Sequence, residues 1–256
     1  MSRYCLHLAY NGAHYCGWQS QPQVATVQQT LEQALSTLLR ERIGVVGCGR
    51  TDSGVHAADY YAHFDCRGEM PENLVFKLNS FLPDDIVIFD LFVVADDFNA
   101  RFDATERVYQ YHVSQQRLPF RQGLYDRIYF SPDMDRMNQA AQILMEYEDF
   151  TSFAKLHTQV KTNVCHITEA HWDRVGEEMI FTIGSNRFLR NMVRSMVGTL
   201  LDVGRGSLTP EDFRRVIERK DRCVAGVSMP AMGLFLCKVV YPPERLLPPF
   251  QAAPTQ

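Results

Sequence analysis

The sequence predicts an α+β protein built from two lobes. In residues 4–94, strand-like and helix-like patterns follow each other in the order β-α-β-β-α-β. Residues 106–241 roughly repeat this order, although the two halves share no detectable sequence repeat. With 256 residues, of which 46% are hydrophobic, the chain is long enough to bury one or two substantial cores.

The first half opens with a strand, because Tyr4–Tyr10 alternates between apolar and polar residues. A helix is predicted over Thr26–Arg40, with Thr26 and Gln29 forming a capping box at its start. The remaining predicted elements of this half are strands at Ile43–Val46, Ala57–Asp65 and Ile86–Val94, and a helix at Pro71–Phe81 with proline in its first turn.

The second half contains the same kinds of element. Strands are predicted at Glu106–Ser114, Asn163–Asp173, Glu178–Gly184 and Gly233–Tyr241. Helices are predicted at Asp133–Tyr147, at Arg187–Val203 with a stop at Gly204, and after Thr209.

This order fits two ferredoxin-like lobes whose antiparallel or mixed sheets meet at a central cleft, with helices on the outer faces. We expect an N-terminal lobe over residues 1–103 and a C-terminal lobe over residues 104–245, with the boundary near Asp103–Thr105. Residues 246–256 form a proline-rich tail, predicted to be docked or loose, to which we assign no function.

Composition narrows the class of protein. The N-terminus lacks a signal peptide, and no apolar stretch approaches the length of a membrane span, which predicts a cytoplasmic protein. The seven cysteines include no Cys-x-x-Cys pair, which argues against a disulfide framework and against a metal site. Cys165-His166 has no second spaced pair of ligands, so a strand explains it more simply.

The net charge of −4 is unusual for a protein that binds a polyanion, since phosphate contacts require cations. A protein with a negative net charge can still bind a polyanion if its arginines are concentrated in one region, because arginine suits both phosphate contact and base stacking. We therefore expect a basic cleft on an otherwise acidic surface. The arginines that lie beside the chain's motifs are Arg50, Arg101, Arg107, Arg187, Arg190 and Arg194.

The segment Gly49–Ala57 carries the most specific signal. Its sequence, Gly-Arg-Thr-Asp-Ser-Gly-Val-His-Ala, places Asp52 in a loop between two predicted strands, with glycines that permit a close approach of backbone and ligand. Taken alone, Thr-Asp-Ser-Gly is equally typical of a turn in which the aspartate bonds its own backbone. The spacing fits neither a dinucleotide fingerprint nor a phosphate-binding loop.

This segment resembles the signature of the tRNA pseudouridine synthase A family, and other segments resemble that family in order from Tyr10 to about Pro242. They are Tyr10-Asn11-Gly12, Tyr15–Gln19, Thr26-Val27-Gln28, Asn79–Ile86, Ala100-Arg101-Phe102, Arg107–Tyr111, Asp149–Phe153, Phe188–Arg194 and Gly233–Leu236. The sequence departs from the family in two places, with Asn99 in place of an expected histidine and with the stretch Gly226–Pro230.

The resemblance implies an isomerase that converts uridine to pseudouridine without a cofactor. It identifies Asp52 as the catalytic carboxylate, acting either as a nucleophile or as the base that removes a sugar proton. A charged carboxylate beside a buried base requires a cation. Arg194 is the implied partner, and Arg190, one turn earlier on the same predicted helix, is the alternative.

The resemblance also implies how substrate is bound. Tyr109 would pack on the target uracil, and its hydroxyl would accept the C5 proton late in the reaction. Arg50 would help to extrude the base. The implied substrate is tRNA at uridines of the anticodon arm, around positions 38–40, bound by a homodimer. Two other functions remain open, a tRNA-binding module without catalysis and a nucleoside hydrolase, although the latter lacks the second carboxylate or metal cluster typical of such chemistry.

Overall fold

The computed structural model describes residues 1–155 and 162–246, so most of the predicted tail lies outside the described residues. It confirms the α+β class. The nine strands in the described residues are β1 (Ser2–Tyr10), β2 (Val45–Gly47), β3 (His56–Cys66), β4 (Ile86–Val94), β5 (Glu106–Ser114), β6 (Asp126–Arg127), β7 (Ile167–Val175), β8 (Glu178–Ser185) and β9 (Leu234–Val240). The five α-helices there are α1 (Val27–Leu39), α2 (Leu74–Phe81), α3 (Met134–Ile143), α4 (Met192–Arg205) and α5 (Pro210–Glu218).

The two predicted sheets meet edge to edge and form one continuous sheet. Its strand order is β4-β1-β3-β9-β5-β8-β7, with β2 paired to β3 and β6 to β5. The junction is a short parallel pairing of β3 with β9, at His56–Phe235 and Ala57–Leu236. The other pairs along this order are antiparallel. The last strand of the chain therefore joins the first half to the second.

Two hydrophobic clusters lie on this sheet. One is formed mainly by residues 4–104, including the buried face of α1, and it also takes in Leu236, Val239 and Tyr241 from the end of the chain. The other is formed mainly by residues 111–234, with the buried faces of α3, α4 and α5. Tyr109 packs against both clusters, which places it where they meet. The lobe boundary at residues 103 and 104 stays a prediction.

Several predicted helix ends differ from the structure. Helix α2 begins at Leu74, after Asn73, so Pro71 precedes it rather than occupying its first turn. Helix α3 ends at Ile143, and a short 3₁₀ turn over Leu144–Glu146 follows it. Thr26 accepts a hydrogen bond from the Gln29 backbone N–H, but the reciprocal half of a capping box is absent from that helix start. A full capping box is present at Thr209 instead, where the third helical residue is Asp212.

The largest difference concerns α4, which begins at Met192 and not at Arg187. Asn191 has φ 66° and ψ 3°, a left-handed conformation that cannot continue a right-handed helix. The helix also passes through Gly204 and ends at Arg205, followed by Gly206, which has φ 84° and caps it. Arg190 is therefore in the preceding turn and not on α4.

Candidate active site

Asp52 lies in the loop between β2 and β3, as the sequence predicts. Its backbone carbonyl accepts a hydrogen bond from the Val55 N–H at 3.1 Å, and Gly54 has φ 78°, so residues 52–55 form a tight turn. The turn uses the backbone of Asp52 and leaves its carboxylate available to other groups. That side chain is 27% exposed.

The N-terminal motif packs directly against this loop. Gly17 has φ 83°, and a Cβ atom there would lie 2.4 Å from the carbonyl oxygen of Thr51. The Trp18 N–H donates to the same carbonyl at 3.3 Å, and the Gly54 N–H donates to the Tyr15 carbonyl at 3.2 Å. Only glycine fits at position 17, since both its φ and the close backbone approach exclude a side chain.

Two buried tyrosines hold the beginning of the loop from the core side. The Tyr10 hydroxyl lies 2.8 Å from the Thr51 hydroxyl, and the Tyr60 hydroxyl donates to the Gly49 carbonyl at 2.5 Å. Both rings are almost completely buried. The backbone on the N-terminal side of Asp52 is thus anchored to the first hydrophobic cluster.

His56, the histidine of the signature segment, ties the loop to two other segments. Its Nδ1 accepts the Gly12 N–H at 3.1 Å, which leaves Nε2 to donate to the Met232 carbonyl at 3.2 Å. Burial is the main cause that lowers the pKa of His56, which agrees with a neutral ring. Sequence reasoning assigned no role to this residue, although its place in the signature was a signal that could have prompted one.

Two arginines face the Asp52 carboxylate. Arg190 Nε lies 3.4 Å from Oδ1, and Arg194 Nη1 lies 3.9 Å from Oδ2. Arg194 is the more enclosed, at 21% exposed against 60% for Arg190. The structure therefore brings both candidate partners to the same carboxylate, one from the turn before α4 and one from its first turn.

Tyr109 lies beside this group of charges. Its ring makes an edge-to-face contact with Phe188, with centroids 5.1 Å apart and planes at 86°. Burial is the largest cause that raises the pKa of its hydroxyl, with smaller contributions from Cys48 and Asp52. Tyr109 also lies at a bulge in the pairing of β5 with β9. Val108 pairs with Lys238 and Tyr109 pairs with Leu236, so Cys237 of β9 is an extra residue next to the site.

The other arginines of the predicted basic cleft have different environments. Arg50 is exposed, and no hydrogen bond or ion pair of its side chain is found among the described residues. Arg107 has a structural role, since its guanidinium donates hydrogen bonds to four backbone carbonyls. These belong to Cys48, Arg101, Ala104 and Asn186. Arg107 thus joins the loop before Asp52 to the segments that carry Arg101 and Arg187.

Within the described part of the chain, no group of three or more His, Cys, Asp or Glu side chains is arranged to hold a metal ion. Cys165 is buried in the second cluster, and the adjacent His166 pairs with Glu148 at 3.2 Å. Over the same residues, the longest helices are too short or too polar to span a membrane.

Comparison with known proteins decides the family. A family model described as tRNA pseudouridine synthase matches residues 7–103 and 140–242, which together make up most of the chain. This chain belongs to the tRNA pseudouridine synthase family. The matched stretches include Asp52, Arg190 and Arg194, whereas Tyr109 lies between them.

Individual members of the synthase family match almost the whole chain. A protein of Bacteroides thetaiotaomicron named tRNA pseudouridine synthase A is 53% identical, over 95% of this chain and 92% of that protein. Proteins of the same name from Porphyromonas gingivalis and Exiguobacterium sibiricum are 50% and 40% identical, each over 96% of this chain and over 100% and 99% of their own lengths. Membership of this synthase family makes the protein an isomerase that acts on tRNA.

Proposed function

We propose that this synthase isomerises uridine in the anticodon stem-loop of tRNA, around positions 38–40, with Asp52 as its catalytic carboxylate. The role of Asp52 is supported by one observation, which is that two arginines approach different oxygens of its carboxylate at 3.4 and 3.9 Å. Opposite charges at these distances attract each other, so the two arginines hold in place the carboxylate that either catalytic role uses. The position in the anticodon arm is what the family resemblance implies.

The reaction exchanges one bond for another at C1′ of the ribose. The bond from N1 of uracil to C1′ breaks, the base turns, and C5 forms a bond to C1′. C5 then loses its proton and N1 gains one, so that no external reactant is consumed. Asp52 starts this sequence as a nucleophile or as a base that removes a sugar proton, and both routes begin from the carboxylate.

We assign Tyr109 to the binding of the target base. Stacking a base on an aromatic ring contributes about 1–3 kcal/mol, which is similar to the few kcal/mol needed to extrude a base from a stem. The edge-to-face contact with Phe188 fixes one side of the Tyr109 ring. Burial raises the pKa of its hydroxyl, so that group begins neutral. As it accepts the C5 proton it passes its own proton to water, and N1 gains one from water, so that the protons balance.

We assign Arg50 to the extrusion of the base, since it is exposed two residues before Asp52. The planar guanidinium of arginine suits both phosphate contact and stacking on a base. As in the sequence analysis, we expect a homodimer in the cytoplasm. All seven cysteines are free thiols, which suits a reducing compartment.

The experiment that tests the proposal is incubation of the purified protein with an unmodified tRNA transcript, followed by mapping of pseudouridine with carbodiimide-stop primer extension. We expect new stops in the anticodon arm around positions 38–40. A matched transcript with cytidine at these positions should give none. If the folded protein binds the transcript but produces no stops, or produces them only outside the anticodon arm, the proposal is wrong.

A further inference from the structure

The turn between the two arginines has an unusual backbone conformation. Asn191 separates Arg190 from the start of α4 and has φ 66° and ψ 3°. Asparagine is one of the few residues other than glycine that adopt this left-handed conformation readily. Because of this turn, Arg190 and Arg194 approach Asp52 from different directions instead of from one helix face.

The side chain of Asn191 does not cap α4. An asparagine before a helix usually accepts a hydrogen bond from a backbone N–H of the first turn, and that bond is absent here. Its amide instead donates to the hydroxyls of Ser228 and Ser195, at 2.5 and 3.2 Å. Arg222 also donates to the Ser228 hydroxyl, at 2.8 Å, so three polar side chains converge on Ser228 with Asn191 among them.

Ser228 belongs to a segment, residues 226–230, that is pinned along α4. A Cβ atom at Gly198 would lie 1.9 Å from the Val227 carbonyl oxygen. Because glycine has no side chain, the segment can approach the helix closely at this position. The Met229 N–H donates to the Arg194 carbonyl at 3.1 Å, and Arg194 Nε donates to the Met229 carbonyl at 2.5 Å. The segment that holds Asn191 therefore also holds Arg194.

On the basis of the proposed function, we propose that Asn191 is a positioning residue for the reaction. Its left-handed backbone and its hydrogen bond to Ser228 orient the turn so that Arg190 and Arg194 reach the two oxygens of Asp52. The departure of residues 226–230 from the family pattern thus bears on the placement of the arginines. Asn191 itself makes no contact with the reacting atoms.

The test compares variants of the full-length protein in steady-state assays over a range of concentrations of the tRNA transcript. Asn191→Ala loses both the side-chain bonds and the tolerance of the left-handed conformation, and we expect kcat to fall about tenfold or more, because small misplacements near reacting groups have effects of this size. Asn191→Gly keeps the conformation and should lose less. KM should change little in either variant.

A matched control is Asn138→Ala on α3, which also loses two hydrogen bonds, those to the backbone of Trp172. It should lower Tm while leaving kcat unchanged. If Asn191→Ala fails to fold, Ser228→Ala removes the same bond from its other end and should lower kcat in the same way. A folded Asn191→Ala or Ser228→Ala with wild-type kcat would overturn the inference.

A double-variant experiment asks whether Asn191 acts through the arginines. In a background carrying both Arg190→Met and Arg194→Met, Asn191→Ala should reduce kcat by a smaller factor than it does in the wild type. The same factor in both backgrounds would show that Asn191 acts elsewhere and would overturn the inference. These outcomes are separate from the proposed function, which fails if Asp52→Ala retains activity, if no pseudouridine forms, or if it forms only outside the anticodon arm.

Discussion

Asp52 and the two arginines that face it come from different parts of the chain, and different contacts hold them in place. The Asp52 loop is fixed mainly by close backbone packing at Gly17 and by two tyrosines buried beneath it. The arginines are fixed by polar contacts from the turn at Asn191 and from residues 226–230. Close packing has few alternatives, whereas polar side chains can exchange partners with water.

This difference in contacts indicates that the position of the Asp52 carboxylate is fixed by packing, whereas the positions of the arginines can change more easily. Substitutions in the loop should therefore affect stability and activity together when they disturb packing. Substitutions on the arginine side should affect activity more than stability. The following variants test this difference, beginning with the largest expected effect.

Gly17→Ala should disturb the loop most. Alanine at φ 83° costs about 1–2 kcal/mol, and its Cβ would meet the Thr51 carbonyl oxygen at 2.4 Å. We expect a lower Tm together with a large loss of kcat, measured by thermal denaturation and single-turnover assays. Gly68→Ala is the control, since a Cβ there meets nothing within 4 Å. A Gly17→Ala protein with the Tm and kcat of the wild type would refute the role of packing.

Arg194→Met should reduce kcat on the order of 10²–10³-fold, the range for removing a preorganised partner of a reacting charge. Arg190→Met should have a smaller effect, because the Arg190 side chain is 60% exposed and its attraction to Asp52 is more strongly screened. Both variants should unfold near the wild-type temperature. Arg136→Met, which removes an exposed arginine of α3, serves as the control. Equal small effects of the two main variants would remove Arg194 from its assigned role.

Tyr10→Phe should have the smallest effect on catalysis. It removes the hydrogen bond between the Tyr10 and Thr51 hydroxyls, which contributes about 1 kcal/mol to stability, but it keeps the buried ring. We expect a modestly lower Tm and a kcat within a few-fold of the wild type. If Tyr10→Phe lost as much kcat as Arg194→Met, hydrogen bonding rather than packing would be fixing the loop.

Local patterns predicted the regular parts of the fold well. The bounds of β4 and β5 match the predicted Ile86–Val94 and Glu106–Ser114. The first strand is a short, largely apolar run, and the second alternates between apolar and polar residues over its last six positions. The predicted start of α4 was wrong because Phe188 and Leu189 continue the helical spacing of its apolar residues toward the N-terminus. The side chain of Asn191 donates a hydrogen bond to Ser228, 37 residues away, and periodicity gives no sign of that contact.

The site was predictable only where a motif marked it. Asp52 stood out through the signature segment, and the resemblance pointed to Arg194 and Tyr109. Arg107 was grouped with possible RNA-binding arginines, yet its guanidinium is occupied by backbone carbonyls. The roles of Gly17 and His56 arise from contacts between segments far apart in sequence, which periodicity does not reveal.

The central claim is that the Asp52 carboxylate starts the chemistry and contributes little to the affinity for tRNA. The most direct measurement compares wild type and Asp52→Ala for both pseudouridine formation in a single turnover and tRNA affinity by filter binding. We predict that the rate falls about 10²–10⁴-fold or more, with a dissociation constant close to that of the wild type. Conversion by Asp52→Ala at near wild-type rates would contradict the account.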